Sequence, residues 1–194
     1  MSDSLSELKS IVRKDALMRR GALPAAERAK AAETIAARPF PIAIAPGTIV
    51  SGFMPLKTEI SPLPLMRRLA ASGARLALPV IDGRGKPLIL RAFAFGDALS
   101  PGQWGIREPM ADAPEVKPDI LLVPLLAFDR RGHRIGYGAG YYDMTIARLR
   151  AMKPLVAAGI AYACQEVGEV PVTPRDARLD LVLTEREIID LRGS

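Results

Sequence analysis

The chain has 194 residues, 49% of them hydrophobic and 25% charged, a composition that fits a folded domain of ordinary size and excludes a disordered or fibrous one. Its 27 Lys and Arg against 21 Asp and Glu give a formal net charge of +6, which points to an anionic partner, either nucleic acid or an acidic small molecule. A single cysteine, Cys164, and a single histidine, His133, exclude an internal disulfide and a multi-histidine or cysteine metal centre, so a reducing compartment, the cytoplasm, is expected.

The opening MSDSLSELK lacks the apolar centre of a signal peptide, and Leu5, Leu8, Val12 and Ala16 recur at helical spacing over about four turns. On that reading Lys9, Arg13, Lys14 and Arg20 fall on other faces. Pro24 opens a second helix over AAERAKAAETIAA (25–37), rich in strong helix formers. TIVSGFM (48–54) is a short buried strand. A helix follows from Ser61-Pro62 to Ala71, ended by Gly73. ARLALPVID and PLILRAFAF flank Gly83 and Gly85 in the pattern of a β-hairpin. Residues 96–117 form a polar, Pro- and Gly-rich excursion that carries Trp104. DILLVP (119–124) reads as a strand buried on both faces, and the stretch from Pro118 to Phe128 is far shorter than the about 20 residues of a membrane span. The loop 125–140 leads into a helix at about 141–151, and VAAGIAYA and DLVLTE supply two more strands. Strands alternating with helices, with no repeat and no linker, predict an α/β fold: a three-layer α/β/α single domain, residues 1–194, with a mainly parallel sheet.

The basic surplus is local. Residues 131–150 carry four Arg against one Asp, whereas 151–194 carry five basic residues against seven acidic ones. The sharpest concentration adjoins AFDRRGHRIGYGAGYYD (127–143), which follows a buried strand and enters a helix. Gly136, Gly138 and Gly140 can take positive φ and turn N–H groups inward, and the helix start and Arg130, Arg131 and Arg134 add positive charge, which together suit a phosphate. Neither the Walker pattern nor the dinucleotide fingerprint fits this spacing, and a plain glycine-rich surface turn stays open. Tyr141 and Tyr142 could stack on a flat ring, and Asp143 could hold Mg2+.

LLVPLLAFDRRGHRIGYGAGYYD resembles the signature of the 5-formyltetrahydrofolate cyclo-ligases, also called methenyltetrahydrofolate synthetases. Lys9 and Arg13, SGFMPLKTEI (51–60), WGIREP (104–109) and VPVTPRDARLDLVLTE (170–185) match other elements of that family in order. The resemblance implies an enzyme, a ligase forming a C–N bond. It would turn ATP and 5-formyltetrahydrofolate into 5,10-methenyltetrahydrofolate, ADP and phosphate through a phosphorylated formyl, or iminium phosphate, intermediate. It implies Lys9, Arg134 and Tyr142 as catalytic residues. The ATP-binding set it implies is Lys9, Ser10, Ile11, Val12 and Arg13 with Arg134, Ile135, Gly136, Tyr137, Gly138, Ala139, Gly140, Tyr141 and Tyr142. Met54, Glu59 and Trp104 would bind the folate, and Asp143 and Asp176 the Mg2+. Ala139 and Met144 depart from residues common in the family. Taken alone, Lys9 and Arg13 could be a solvated helix face, Asp143 a helix-start acid, Asp176 a turn residue and Trp104 a core indole. His133 is read as exposed or supporting, and Cys164 as a small buried residue. A monomer acting on a small molecule, with no nucleic acid or membrane partner, is expected. A non-catalytic nucleotide- or folate-binding module of the same fold is the alternative, and nucleic-acid binding is disfavoured because aromatics are only 5%.

Overall fold

A computed structural model of the chain describes residues 2–193; Met1 and Ser194 lie outside the described residues. In chain order the elements are α1 (Ser2–Gly21), α2 (Ala25–Ala37), β1 (Ile49–Ser51), α3 (Leu63–Ala71), β2 (Arg75–Val80), β3 (Ile89–Phe93), β4 (Leu99–Pro101), β5 (Arg107–Pro109), β6 (Ile120–Pro124), β7 (Ala127–Phe128), β8 (Arg134–Ile135), α4 (Tyr141–Arg150), β9 (Val156–Ile160), β10 (Leu181–Leu183) and β11 (Ile188–Asp190). No described helix is long and apolar enough to cross a membrane.

Seven strands form one sheet in the order β11-β10-β9-β6-β1-β2-β3. The five inner strands run parallel, and β3 and β11 pair antiparallel at the two edges. β6 shows why the sheet needs cover on both faces. Ile120 and Leu122 join α2 and α3 residues such as Ile35, Leu65 and Leu69 in one core, while Leu121 and Val123 join Ile146 and Leu149 of α4 in the other. Alternation along a strand sends neighbours to opposite faces, so a continuous apolar run demands two layers of helix. The expected three-layer α/β/α architecture with a mainly parallel sheet is what the chain forms.

Element starts and stops follow local chemistry. The N–H of Arg28 bonds the carbonyl of Pro24 at 3.0 Å, closing the first turn of α2 behind a proline that fits there without an N–H. Gly73, at φ 98°, ends α3 in the left-handed region. Gly159 in β9 leaves room that a Cβ would fill, since that atom would lie 2.7 Å from Leu179 and 2.8 Å from Leu125.

Three expectations change. The strand expected over 48–54 spans only Ile49–Ser51, because the chain turns away at Gly52, where a Cβ would come within 2.2 Å of the buried Met66 sulfur. The excursion 96–117 contains the hairpin β4–β5, and the loop 125–140 contains the hairpin β7–β8. On α1, Leu8 is 50% exposed, whereas Ala16 and Arg20 are buried and Lys9, Val12 and Arg13 partly so. The inward stripe is therefore Lys9–Arg13–Ala16–Arg20, and the leucines do not define it. Its apolar share is small: Ala16 packs with Leu126, Ala127, Ile135 and Val170, and Val12 leans on them.

Candidate active site

Strands β1 and β6 lie side by side and parallel, yet the chain leaves β1 toward β2 and leaves β6 toward β9. Their carboxyl ends thus open a crevice where the sheet changes direction, the usual ligand position in an open α/β sheet. The loop after β1 (52–60) forms one wall and the loop after β6 (125–140) the other. The inward stripe of α1 closes the crevice between them.

The first wall is a tight turn. Lys57 sits at φ 51°, a strained setting for a side chain, the N–H of Glu59 bonds the Leu56 carbonyl at 2.9 Å, and the Glu59 carboxylate accepts the Leu56 N–H at 2.7 Å. Burial pushes the Glu59 carboxyl above the usual carboxylate range. The Leu56 N–H, the Arg20 charge and a hydrogen bond from the Tyr137 hydroxyl pull it back only in part. Met54 is half-buried against the α2–α3 core beside this turn.

The second wall is organised by Asp129, which is fully buried and accepts the N–H groups of Arg131, His133 and Val170 at 2.9–3.1 Å. Burial raises its carboxyl, but those three donors and His133 outweigh it and hold Asp129 below the usual range. His133 therefore supports the hairpin. Arg130 and Arg131, expected beside a phosphate, point away from the crevice instead. Arg130 pairs with Glu166 and Glu187, and Arg131 with Glu169 and Asp129. Only Arg134 of this group turns inward.

Arg134 is 7% exposed, donates to the Ala177 carbonyl and meets Asp143 at 2.8 Å. Burial lowers its affinity for its proton, and Asp143 and Asp176 oppose that shift, so it remains a cation. The same Asp143 oxygen accepts the N–H of Ala177 at 3.0 Å, which brings Asp143 to the residue next to Asp176. Asp176 in turn binds Lys9 at 2.5 Å and the N–H and hydroxyl of Thr173 at 2.6 and 3.1 Å. Burial raises Asp176, but Lys9 and Thr173 win and hold it below the usual range. Two carboxylates and two cations thus share one corner. Hard oxygen donors of this kind suit a divalent cation that takes one or two carboxylates. Among the described residues no three His, Cys, Asp or Glu are grouped so as to hold a metal ion, and the two carboxylates here match a cation that completes its shell with phosphates and water.

Between the walls runs the glycine turn. Gly138 (φ 102°) and Gly140 (φ 72°) use the left-handed region, and Gly136 does not. Instead, the Gly136 carbonyl accepts the Arg13 side chain at 3.0 Å. Gly140 caps α4 without any side-chain cap, leaving the first N–H groups of that helix with no capping side chain. Of the other residues in the expected nucleotide set, Ser10 and Ile11 are exposed, Val12 leans on the Leu126 cluster and Ile135 is buried. Ala139 is exposed on the turn, and Tyr141 and Tyr142 pack on the α4-side core. Burial, then the Glu59 charge, pushes the Tyr142 phenol up, so it stays neutral. Trp104 is 66% exposed at φ 56° with its ring 6.2 Å from that of Tyr141, which favours a crevice-edge position over a core indole.

Sequence reasoning missed Arg20. It is 1% exposed, donates from Nε to the Thr58 hydroxyl at 3.0 Å and from Nη2 to the Tyr137 oxygen at 2.7 Å, and its buried Nη1 has no partner. An unpaired buried N–H costs about 1–3 kcal/mol, so this residue is not explained by stability alone. Its spacing from Lys9, Arg13 and Ala16 was the available signal.

The sequence pattern of the 5-formyltetrahydrofolate cyclo-ligase family matches residues 5–185. The chain is 33% identical to a 5-formyltetrahydrofolate cyclo-ligase of Mycolicibacterium smegmatis over 197 aligned positions, covering 95% of this chain and 97% of that one. It is 32% identical to that of Escherichia coli K12, over 72% of this chain and 79% of the relative. Among solved structures, a 5,10-methenyltetrahydrofolate synthetase of Aquifex aeolicus superposes with a TM-score of 0.79 at 30% identity, covering 96% and 94% of the two chains. One from Mycoplasma pneumoniae shares the fold at a TM-score of 0.68 and 23% identity, covering 91% and 98%.

Proposed function

The chain belongs to the 5-formyltetrahydrofolate cyclo-ligase family, and we propose that it closes 5-formyltetrahydrofolate to 5,10-methenyltetrahydrofolate with ATP and Mg2+, releasing ADP and phosphate. The observation that carries the reading is the corner where Lys9, Arg134, Asp143 and Asp176 meet beside the glycine turn, across the crevice from Glu59. Phosphoryl transfer asks a protein chiefly for positioning and charge, and this corner has both.

The glycine turn and the start of α4 hold the triphosphate, with Arg13 fixing the turn from behind through the Gly136 carbonyl. Asp143 and Asp176 would hold Mg2+, which supplies charge neutralisation at the phosphates. Lys9 and Arg134, paired to those same aspartates, carry positive charge to the transferring group. Glu59 accepts hydrogen bonds from the amino-pyrimidine edge of the folate, Met54 lies under the ring, and Trp104 covers it. The formyl oxygen takes the γ-phosphoryl group as ADP leaves. N10 then bonds to the formyl carbon, the C–O bond breaks as phosphate departs, and the N10 proton leaves with the phosphate. Tyr142, at the start of α4 and kept neutral by burial, adds its hydroxyl to the triphosphate side. The protein works as a monomer in the cytoplasm.

Purified protein with ATP, Mg2+ and 5-formyltetrahydrofolate is expected to form the near-ultraviolet chromophore of the methenyl product, and to stop on chelation of Mg2+. A folded protein that forms no chromophore with any divalent cation overturns the reading.

A further inference from the structure

We infer that Arg20 is a positioning residue for folate: its guanidinium, bridged through the Tyr137 hydroxyl, orients the Glu59 carboxylate and ties the two walls of the crevice together. The inference rests on the folate-binding role proposed for Glu59.

The geometry has three parts. Arg20 reaches the first wall at Thr58, next in sequence to Glu59, and the second wall at Tyr137, three residues past Arg134. The donor directions agree along the chain of groups: Arg20 donates to the Tyr137 oxygen, which leaves the Tyr137 O–H free to donate toward Glu59, whose ionised form it favours. Arg20 is buried within α1, whose other inward cations, Lys9 and Arg13, serve the glycine-turn side. One helix therefore addresses both halves of the crevice, with Arg20 as its folate-side contact. Burial and the charge of Arg20 act on Glu59 in opposite directions, and the groups facing Glu59 are Arg20 from α1, Tyr137 from the turn, Tyr142 from α4 and its own Leu56 N–H.

The test measures 5-formyltetrahydrofolate affinity by quenching of Trp104, the only tryptophan, across pH, alongside KM for ATP and thermal midpoints. R20M is expected to weaken folate affinity about tenfold with KM for ATP within about twofold of wild type, and Y137F to weaken folate affinity about fivefold. In both, the acid limb of folate binding moves to higher pH, because Glu59 loses a partner that favours its ionised form. R20K, which keeps the charge but cannot span both hydroxyls, restores the limb and part of the affinity. If R20M does not fold, Y137F, which deletes one hydroxyl of a half-exposed residue, decides alone. Unchanged affinity in Y137F, an unmoved limb, or a parallel rise in KM for ATP in R20M overturns the inference. A wild type that binds folate without product defeats the proposed function alone, and a wild type without folate affinity defeats both.

Discussion

The two walls of the crevice arise from adjacent parallel strands and use opposite physics. The loop after β1 holds one carboxylate, folded back on its own turn and pushed by burial toward its neutral form. The side built on the loop after β6 gathers cations and carboxylates that cancel in pairs, Lys9 of α1 with Asp176 and Arg134 with Asp143 of α4. One wall recognises through a costly buried group and the other through charges that a ligand can redistribute. Substitutions on the second wall should therefore strike turnover, and those on the first should strike folate affinity.

The largest expected effect is Lys9→Met, which removes a cation from the phosphate side. Turnover should fall by about 10²–10³-fold with folate affinity unchanged, and an equal fall in folate affinity would erase the contrast between the walls. Asp143→Asn comes next, at about 100-fold in turnover, read as lost dependence on Mg2+ concentration with intact folate quenching. Glu59→Gln should weaken folate about tenfold while leaving KM for ATP in place. Because its folded-state carboxyl is raised, Glu59 favours folding at pH below the ordinary carboxylate value and loses that contribution as pH rises through the raised one. At neutral pH the ionised form therefore costs stability, and Glu59→Gln should melt no lower than wild type. The smallest effect belongs to Arg130→Ala, since that arginine pairs outward with Glu166 and Glu187, and activity should stay within about twofold. A large loss there would return the outer arginines to the site.

What the residues revealed in advance follows the strength of their signals. Continuous apolar runs such as Ile120–Pro124 and Val156–Ile160 announce buried strands, and alanine-rich stretches announce α2. The pairs β4–β5 and β7–β8 have two or three residues a strand, too few for any period to show. Lys9 and Arg13, like Asp143 and Asp176, are legible as candidates through resemblance to a family, because helical spacing alone leaves them on a solvated face. Arg20 is hidden because Leu5 and Leu8 at helical spacing point to a different inner face of α1, which in fact turns mostly charged groups inward. The arginines of 130–134 looked alike in sequence, and only the hairpin decides that two face out and one faces in.

That polar inner face has a further consequence. Helix α1 is fastened by Lys9, Arg13, Arg19 and Arg20, while its anchor of Val12 and Ala16 is slight and Leu8, Ile11 and Met18 face solvent. The two large cores need none of it. The crevice thus depends on a helix held mainly by polar contacts, and such a segment opens at lower cost than the packed sheet. On heating, inactivation should precede loss of the β-sheet signal, and amide exchange in 5–20 should run ahead of exchange in β6 and β9.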